Sequence, residues 1–303
     1  MVFKGRQQAS SDYEPLKFKV FGKEITSKPS LKYLGVYIDE KLDFYWHFLY
    51  LEEKSTKLIP KLVAVCQRTC GYSNSARKTM FTATIGAIYK YACTAFGHTT
   101  ERNRKLIESV DRKVQQCCAR LYSKAGYYAA TVINKIPPLE LQIVSRYLKT
   151  CQAKGWPILK QTVLAPPERS LGTEEYAKRV QCSLRSAWVN KYKKRSSDWC
   201  RNVIPTPEKS IAVETDFFLS QALSGIGCFG TFLHLIKKAD SPLCPCGNGA
   251  VESPAHVFVE CGRFVDGRPE ELDVSKPSTC LYMRKVVQKL WVLENGPQSI
   301  RAD

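Results

Sequence analysis

The chain has 303 residues and 44% of them are hydrophobic, which is enough to bury a sizeable core and excludes a disordered polypeptide. Its formal charge is +18, and the whole excess lies in residues 51–202, which carry 28 basic and 10 acidic side chains. Such a local excess of positive charge is typical of a surface that binds a polyanion, and nucleic acid is the favoured partner. A solvated basic surface that meets an acidic partner is the alternative.

Alternating apolar and lysine residues predict short strands near the start of the chain. Leu16, Phe18 and Val20 alternate with lysines, a glycine turn follows at residues 21–23, and a second extended run covers residues 30–38. We expect a small β-hairpin sheet here. It is too small to be a domain, so its apolar face needs a partner, and its abrupt start indicates that its other half is missing from the chain.

The hydrophobic period becomes helical from about residue 45. A Ser-Asn-Ser sequence at residues 73–75 is a capping signal, and three apolar stripes predict three amphipathic helices that face a core. The stripes consist of Leu58, Leu62 and Val65; of Phe81, Ile85, Ile88 and Ala92; and of Ile107, Val110, Val114, Cys117 and Leu121. The opposite faces carry the basic residues Arg102, Arg104, Lys105, Arg112, Lys113 and Arg120.

Prolines interrupt the helical pattern at residues 136–139, after which another helix is expected to reach about Gly155. Residues 156–172 contain three prolines and are typical of a linker or surface loop. A long helix begins at Thr173, and its aromatic stripe, which Trp199 continues, either faces the core or stacks on bases. The charges of this helix are the stronger candidates for phosphate contacts, and they are Lys191, Lys193, Lys194 and Arg195.

Cysteine and histidine are spaced as metal ligands near the end of the chain. Cys244, Cys246, His256 and Cys261 form a C-x-C-x9-H-x4-C pattern, which is the ligand set of a tetrahedral Zn²⁺ site. Gly247 and the proline between the first two cysteines favour the turn that such a site requires. The alternative is a chance grouping in a chain with 13 cysteines, and a structural Zn²⁺ without contact to nucleic acid also fits the pattern.

The other cysteines are mostly placed singly at apolar helical positions, which favours small buried side chains in a reducing compartment over a disulfide framework. Residues 1–6 lack an apolar signal segment, and no stretch is long and apolar enough to span a bilayer. We therefore expect an intracellular protein, nuclear or cytoplasmic, with no membrane partner.

Four segments precede the cysteine and histidine pattern in a fixed order. They are residues 1–6, KYLGVYID at residues 32–39 with Phe44 and His47 after it, IPPL at residues 136–139, and FFLSQALSGIGCF at residues 217–229. In this order they resemble the C-terminal part of the reverse transcriptase polyprotein of non-LTR retrotransposons, most like the arthropod elements that insert into ribosomal DNA. The family commonly has His at the position of Ile226, so any role of that imidazole is lost here.

The resemblance implies an α+β fold with a small N-terminal β-hairpin sheet, a mainly helical thumb and connection, and a terminal zinc knuckle. The implied parts are a palm edge and primer-grip hairpin at residues 1–44, a helical thumb at 45–155, a basic helical connection at 156–235, a zinc knuckle at 236–265 and a tail with a short helix at 266–303. Candidate nucleic-acid contacts are Tyr33, Leu34 and Gly35 of the primer grip, with Arg104, Lys105, Arg112, Lys113, Lys191, Lys193, Lys194 and Arg195 from the basic segment.

Catalysis is not expected from this chain alone. DNA polymerisation needs a carboxylate cluster that holds two Mg²⁺ ions, and the family's aromatic-x-Asp-Asp turn lies upstream of the matched region. The sequence contains no Asp-Asp pair, so no catalytic residue is predicted and Mg²⁺ is expected only in the complete polymerase. The amino-terminal endonuclease of such elements is not expected within this chain either.

The resemblance implies a fragment that grips template RNA and the RNA–DNA or DNA duplex, with the missing palm and endonuclease portions as its partners. One alternative is a stand-alone zinc-containing RNA- or DNA-binding protein derived from such an element. Another is a non-catalytic interaction protein, in which the basic middle docks on an acidic protein and a structural Zn²⁺ holds the tail.

Overall fold

The computed structural model describes residues 15–65, 72–97, 100–158 and 162–296. These residues are mostly helical with two small antiparallel hairpins, which confirms the α+β prediction at this level. The chain divides into two compact units, each assembled from three separate segments. The first unit comprises Met1–Leu58, Ile85–Asp111 and Leu139–Leu184, and the second comprises Ile59–Thr84, Arg112–Pro138 and Arg185–Asp303.

Two tight turns organise the strands of the first unit. Strand β1 (Lys17–Val20) pairs with β2 (Lys23–Thr26), and β3 (Ser30–Tyr33) pairs with β4 (Val36–Asp39). Both turns have two central residues with positive φ, such as 48° at Phe21 and 76° at Gly22, and this geometry matches the twist of the flanking strands. The prediction of a single hairpin sheet was wrong, because each turn pairs only its own two strands and two separate sheets result.

Twelve α-helices are present among the described residues. In chain order they are α1 (Tyr45–Val65), α2 (Asn74–Ala83), α3 (Ile85–Lys90), α4 (Cys93–Phe96), α5 (Glu101–Cys118), α6 (Tyr127–Asn134), α7 (Leu139–Lys154), α8 (Thr173–Arg195), α9 (Asp198–Val203), α10 (Phe217–Ser224), α11 (Gly230–Leu235) and α12 (Pro277–Asn295). The tail helix α12 has 19 residues and is longer than predicted. Within the described ranges, no helix combines the length and the apolar character needed to cross a bilayer.

Several helix boundaries follow the predicted local signals. Ser73 caps α2, and its Oγ accepts a hydrogen bond from the Ala76 amide at 3.2 Å. The proline-rich break separates α6 from α7, and α7 ends before Gly155, whose φ is +67°. These boundaries are encoded locally, because a capping hydroxyl, a proline or a left-handed glycine ends or starts a helix without help from distant residues.

Three other boundaries differ from the prediction. The stripe from Phe81 to Ala92 does not form one helix, because the chain leaves the helical conformation at Thr84, between α2 and α3, and Ala92, which precedes α4, has a φ of 52°. Leu121 lies beyond α5, after a residue with positive φ. Trp199 does not continue α8 but lies in α9, because Ser197 starts a new helix by accepting a hydrogen bond from the Cys200 amide at 3.3 Å.

Aromatic packing and a glycine contact bring α1, α4 and α7 together in the core of the first unit. Phe48 of α1 meets Phe96 of α4 edge to face, with 5.2 Å between ring centroids. Gly97 follows α4 and has no room for a side chain, because a Cβ there would lie 2.2 Å from Cγ of Tyr147 in α7. His47 is also buried, 4.9 Å from the Phe96 ring.

Helix α10 occupies the core of the second unit and packs on α6, α9 and α12. The last part of α8 faces this core as well, since the Trp188 Nε1 donates to Thr131 Oγ1 at 3.0 Å and the Tyr192 hydroxyl donates to the Ile204 carbonyl at 2.6 Å. Trp188 and Tyr192 of the α8 stripe therefore pack in the core of the second unit, as one of the two interpretations of the sequence predicted.

Candidate functional site

The four predicted metal ligands lie on two local structures in the second unit. The first is a turn that carries Cys244 and Cys246. The Cys244 amide donates to the Ala250 carbonyl at 2.8 Å and closes this turn. Gly247 lies within the turn with a φ of +86°, a left-handed conformation that favours glycine. The predicted role of this glycine in the turn is therefore confirmed.

The second local structure is a π-helical turn at His256–Glu260, which begins at one predicted ligand and is followed directly by another. The Cys261 amide donates to the His256 carbonyl at 2.8 Å, so the two ligands are held at opposite ends of one short turn. Together the two local structures bring all four predicted ligands to one place.

The ligand atoms form a compact cluster, all within 4.8 Å of one another. The Sγ atoms of Cys244 and Cys261 are 3.6 Å apart, and the Cys246 Sγ lies 3.4 Å from the His256 Nε2. In a tetrahedral Zn²⁺ site with Zn–S bonds of about 2.3 Å, two sulfurs are separated by about 3.75 Å. The distances between these donor atoms therefore fit tetrahedral coordination, and the cluster could hold a metal ion.

Acidic and basic side chains support this cluster from outside. The His256 Nδ1 lies 3.2 Å from a carboxylate oxygen of Glu260, which orients the ring so that Nε2 faces the thiols. Arg263 donates to the Cys244 Sγ at 3.1 Å and pairs with Glu252, so a guanidinium balances part of the negative charge that three thiolates would carry. Glu252 also accepts from the Gly230 amide at 3.1 Å, which ties the cluster to the start of α11.

The thiols differ in acidity. A hydrogen bond from the Asn248 backbone lowers the pKa of Cys246 to about 7, whereas burial raises the pKa of Cys244 to about 11. A metal ligand must be a thiolate, so a bound cation would have to displace the proton of Cys244 at neutral pH.

The segment at residues 217–229 forms the support beneath the cluster. The Trp199 ring stacks on Phe258, with 5.4 Å between centroids, and its Nε1 donates to the Ala222 carbonyl at 2.7 Å. A Cβ at Gly227 would lie 1.7 Å from the Gln221 Oε1, which accepts a hydrogen bond from the amide of residue 228. The cluster is thus built into the core of the second unit.

Basic side chains of the second unit include the last turn of α8. Lys193, Lys194 and Arg195 are exposed, and Lys191 is half-buried. The Arg195 guanidinium also contacts Tyr128, at 3.3 Å from its hydroxyl. These side chains carry positive charge on a long helix, and most of them are accessible to phosphates.

The other basic candidates differ in accessibility. In the second unit, Lys113 is exposed, while the half-buried Arg112 lies 5.7 Å from the Tyr127 ring centroid. In the first unit, Lys105 is exposed, but Arg104 pairs with Glu101 and lies 3.6 Å from a carboxylate oxygen of Glu140. The lysines are therefore better placed for phosphate contacts than the two arginines.

The predicted primer-grip residues lie at the turn between β3 and β4 in the first unit. Tyr33 and Leu34 are exposed, and the Leu34 carbonyl accepts a hydrogen bond from the Tyr91 hydroxyl at 2.8 Å. Gly35 has a φ of +84°, which favours glycine at this position. The turn therefore presents an aromatic and an aliphatic side chain to the surface of the unit.

His47, which follows this segment in the sequence, anchors the second hairpin to α1. Burial lowers the pKa of His47 to about 4, so its neutral ring can accept a hydrogen bond from the Tyr37 amide at 3.4 Å. This contact joins β4 to the first turn of α1.

Comparison with known proteins finds relatives of one kind. The chain is 26% identical over 260 residues to the retrovirus-related Pol polyprotein from type-1 retrotransposable element R1 4 of Nasonia vitripennis, a match that covers 84% of this chain and 66% of that protein. It is 23% identical over 259 residues to the putative 115 kDa protein in type-1 retrotransposable element R1DM of Drosophila melanogaster, covering 82% of this chain and 25% of that protein. The homologues of this chain are Pol polyproteins of insect R1 retrotransposons.

The resemblance to a non-LTR retrotransposon polyprotein is therefore confirmed. A Pol polyprotein from element R1 of Bradysia coprophila matches 88% of this chain at 22% identity. The chain spans between a quarter and two thirds of the length of these R1 relatives. No protein-family model matches the chain, and no solved structure matches it.

Sequence reasoning missed the side chains that support the candidate metal ligands. Glu260 could have been found, because its spacing of four from His256 places both on one face of a helical turn. Glu252 and Arg263 have no such local signal, because their pairing and their contact with Cys244 depend on the fold of the whole segment.

Proposed function

We propose that this chain is a nucleic-acid-gripping portion of a retrotransposon Pol polyprotein and that it holds template RNA and the primer–template duplex mainly through phosphates. The observation that carries the proposal is the homology to R1 Pol polyproteins over 82% to 88% of the chain. The excess of basic residues in the segment 51–202 supports it, because a dense local positive charge binds the phosphate backbone independently of base sequence.

The two units have separate candidate contacts in this proposal. In the second unit, Lys193 and Lys194 in the last turn of α8 and Lys113 in α5 contact phosphates from a rigid helical support. In the first unit, Lys105 does the same, while Tyr33 and the turn at Leu34 and Gly35 contact the primer strand. Phosphate contacts fix the position of the strand and leave sequence selection to other parts of the polyprotein.

The Cys244, Cys246, His256 and Cys261 cluster is proposed to hold a structural Zn²⁺. Four protein ligands would fill a tetrahedral coordination sphere and leave no position for water or substrate, so the ion would supply folding free energy rather than catalysis. The Glu260 carboxylate holds the His256 ring in the orientation that such an ion requires. The four ligands would then hold the turn that carries Cys244 and Cys246 against the turn that carries His256 and Cys261.

Other portions of the polyprotein are the proposed protein partners. Every residue of β1 and β2 is exposed, including Phe18, Val20 and Ile25. A two-stranded hairpin is only marginally stable by itself in water, so a partner that covers these apolar side chains would stabilise it. The palm portion is the expected partner of the hairpin, and the endonuclease is a further expected portion of the assembly.

The proposal predicts strongly salt-dependent binding of unrelated nucleic-acid sequences. Each phosphate contact that releases a counterion adds about 0.7 to 0.9 to the slope of log K against log salt, so the expected slope is several units. Fluorescence anisotropy of labelled RNA and of RNA–DNA duplex, titrated at several salt concentrations, measures it. Weak binding with a slope near zero would contradict the proposal and favour the alternative of an acidic protein partner.

A second prediction concerns catalysis. The purified chain is expected to show no primer extension on an RNA template with Mg²⁺ and deoxynucleotides, because its sequence contains no Asp-Asp pair to hold the metal ions. The assay compares incorporation with a reaction that lacks the protein. Template-dependent incorporation above that background would show that carboxylates elsewhere in the chain can assemble a catalytic site.

A further inference from the structure

The first turns of α1 present two different faces in the first unit. Phe48 and Leu51 are buried, and Phe48 packs on Phe96 in the core. In contrast, Trp46 is 51% exposed. About half of the Trp46 side chain is therefore not packed against the core of the unit, although Trp is on average a highly buried residue.

Three more rings and two cations lie on or next to the first turns of α1. We call the group the ring patch, and it consists of Lys32, Tyr37, Tyr45, Trp46, Tyr50 and Arg102. The Tyr37 and Tyr50 centroids are 5.1 Å apart, and the Tyr45 and Trp46 centroids are 6.2 Å apart. Trp46 and Tyr50 are one helical turn apart on α1, so the rings follow one another along one side of the helix.

The two cations contact different rings of the patch: Lys32 lies at Tyr50 and Tyr37, and Arg102 lies at Tyr45. The Lys32 Nζ is 4.8 Å from the Tyr50 centroid and 5.5 Å from the Tyr37 centroid, and the Arg102 guanidinium carbon is 3.2 Å from the Tyr45 centroid. Because both cations already occupy ring faces, the ring patch would repel a cationic ligand. It is suited to a ligand that joins a flat ring to negative charge, and a nucleotide has this combination.

We propose that the ring patch stacks one unpaired base of a bound strand on Trp46, with Lys32 and Arg102 near the flanking phosphates. This inference rests on the proposed function and adds to it a position at which the strand is held by its base. A base within a duplex has its faces covered by its neighbours, so the site takes a single-stranded segment or an unpaired end.

The test compares strands that carry bases with a strand that lacks them. Fluorescence anisotropy measures the affinity of the full chain for labelled oligouridylate, oligothymidylate and an abasic DNA strand of equal length. Trp46→Ala is expected to lower the affinity for the two base-bearing strands by about fivefold or more and to leave the affinity for the abasic strand unchanged. Trp46→Phe keeps an aromatic face and is expected to retain part of the lost affinity.

Trp156 provides a matched control in the same unit, because it is 48% exposed and lies outside the ring patch. Trp156→Ala is expected to leave all three affinities unchanged, and thermal melting curves check that each variant is folded. A loss confined to the RNA or the DNA strand would still support stacking and would identify the strand.

Two outcomes overturn the inference. One is an equal loss of affinity for abasic and base-bearing strands in Trp46→Ala, since the indole would then not act on the base. The other is unchanged affinity for all strands in that variant. If the wild-type chain binds none of the strands, the proposed function itself fails, and this result is distinct from a chain that binds all strands without using Trp46.

Discussion

Replacing His256 with Ala or Cys246 with Ser is expected to abolish the binding of one Zn²⁺ per chain and to destabilise the second unit by more than about 4 kcal/mol. Either change leaves three ligands in a site whose four donor atoms lie within 4.8 Å of one another. Structural Zn²⁺ contributes folding free energy directly, and the turn between His256 and Cys261 carries Phe258, which stacks on Trp199. Loss of the ion should therefore loosen the aromatic core as well as the ligand segment.

Metal content per chain and thermal melting with and without a chelator measure these effects. Cys182→Ser is the matched control, because Cys182 is an exposed thiol of α8 outside the cluster, and this variant is expected to keep its Zn²⁺. Zinc affinity should also fall at acid pH, because the ligands must lose their protons before they bind.

Zinc content that survives both ligand substitutions would contradict the assignment and point to other thiols, such as Cys228 or Cys280. The structure gives these two thiols other surroundings. Burial raises the pKa of Cys228 to about 12, and the Cys280 Sγ donates to the Val274 carbonyl at 3.1 Å.

The parts of the fold that the sequence predicted are those encoded by nearby residues. The Phe21-Gly22 turn, the Ser73 cap and the break after α6 each depend on the conformational preferences of a few consecutive residues. The breaks at Thr84 and Ala92 are different, because an apolar period continues through them and only packing against other segments decides the backbone conformation. The assembly of each compact unit from three separate segments could not be predicted, because hydrophobic periodicity in the sequence does not indicate which distant segments pack together.

The same division applies to the candidate site. The cluster of four candidate metal ligands could be predicted because residue type and spacing together indicate coordination chemistry. The ion pair between Glu252 and Arg263 could not, because it joins residues that have no regular spacing. Charge alone could not rank the basic residues either. Arg104 and Lys105 are neighbours in the sequence, yet Arg104 pairs with glutamates while Lys105 is exposed.

Replacing Lys191, Lys193, Lys194 and Arg195 together with Gln is expected to lower the affinity for unrelated nucleic-acid sequences and to flatten the salt dependence. If each side chain contacts one phosphate, the slope of log K against log salt should decrease by roughly 3 units. Lys193, Lys194 and Arg195 lie in the last turn of α8, where positive charge also stabilises the helix dipole by up to about 1 kcal/mol each. Melting curves must therefore show that the variant is still folded.

A matched control removes four exposed lysines from the same unit but outside residues 51–202, by replacing Lys237, Lys238, Lys285 and Lys289 with Gln. The two variants have the same net charge, so a general charge effect would lower the nucleic-acid affinity of both variants equally. A phosphate-binding surface on α8 would instead lower the affinity of the α8 variant more than that of the control. Arg263 and Arg268 are poorer comparators, because they donate to Cys244 and to backbone carbonyls beside the metal ligands. If the α8 variant keeps its salt slope while the control loses binding, the principal nucleic-acid contacts lie in the C-terminal segment near the metal cluster.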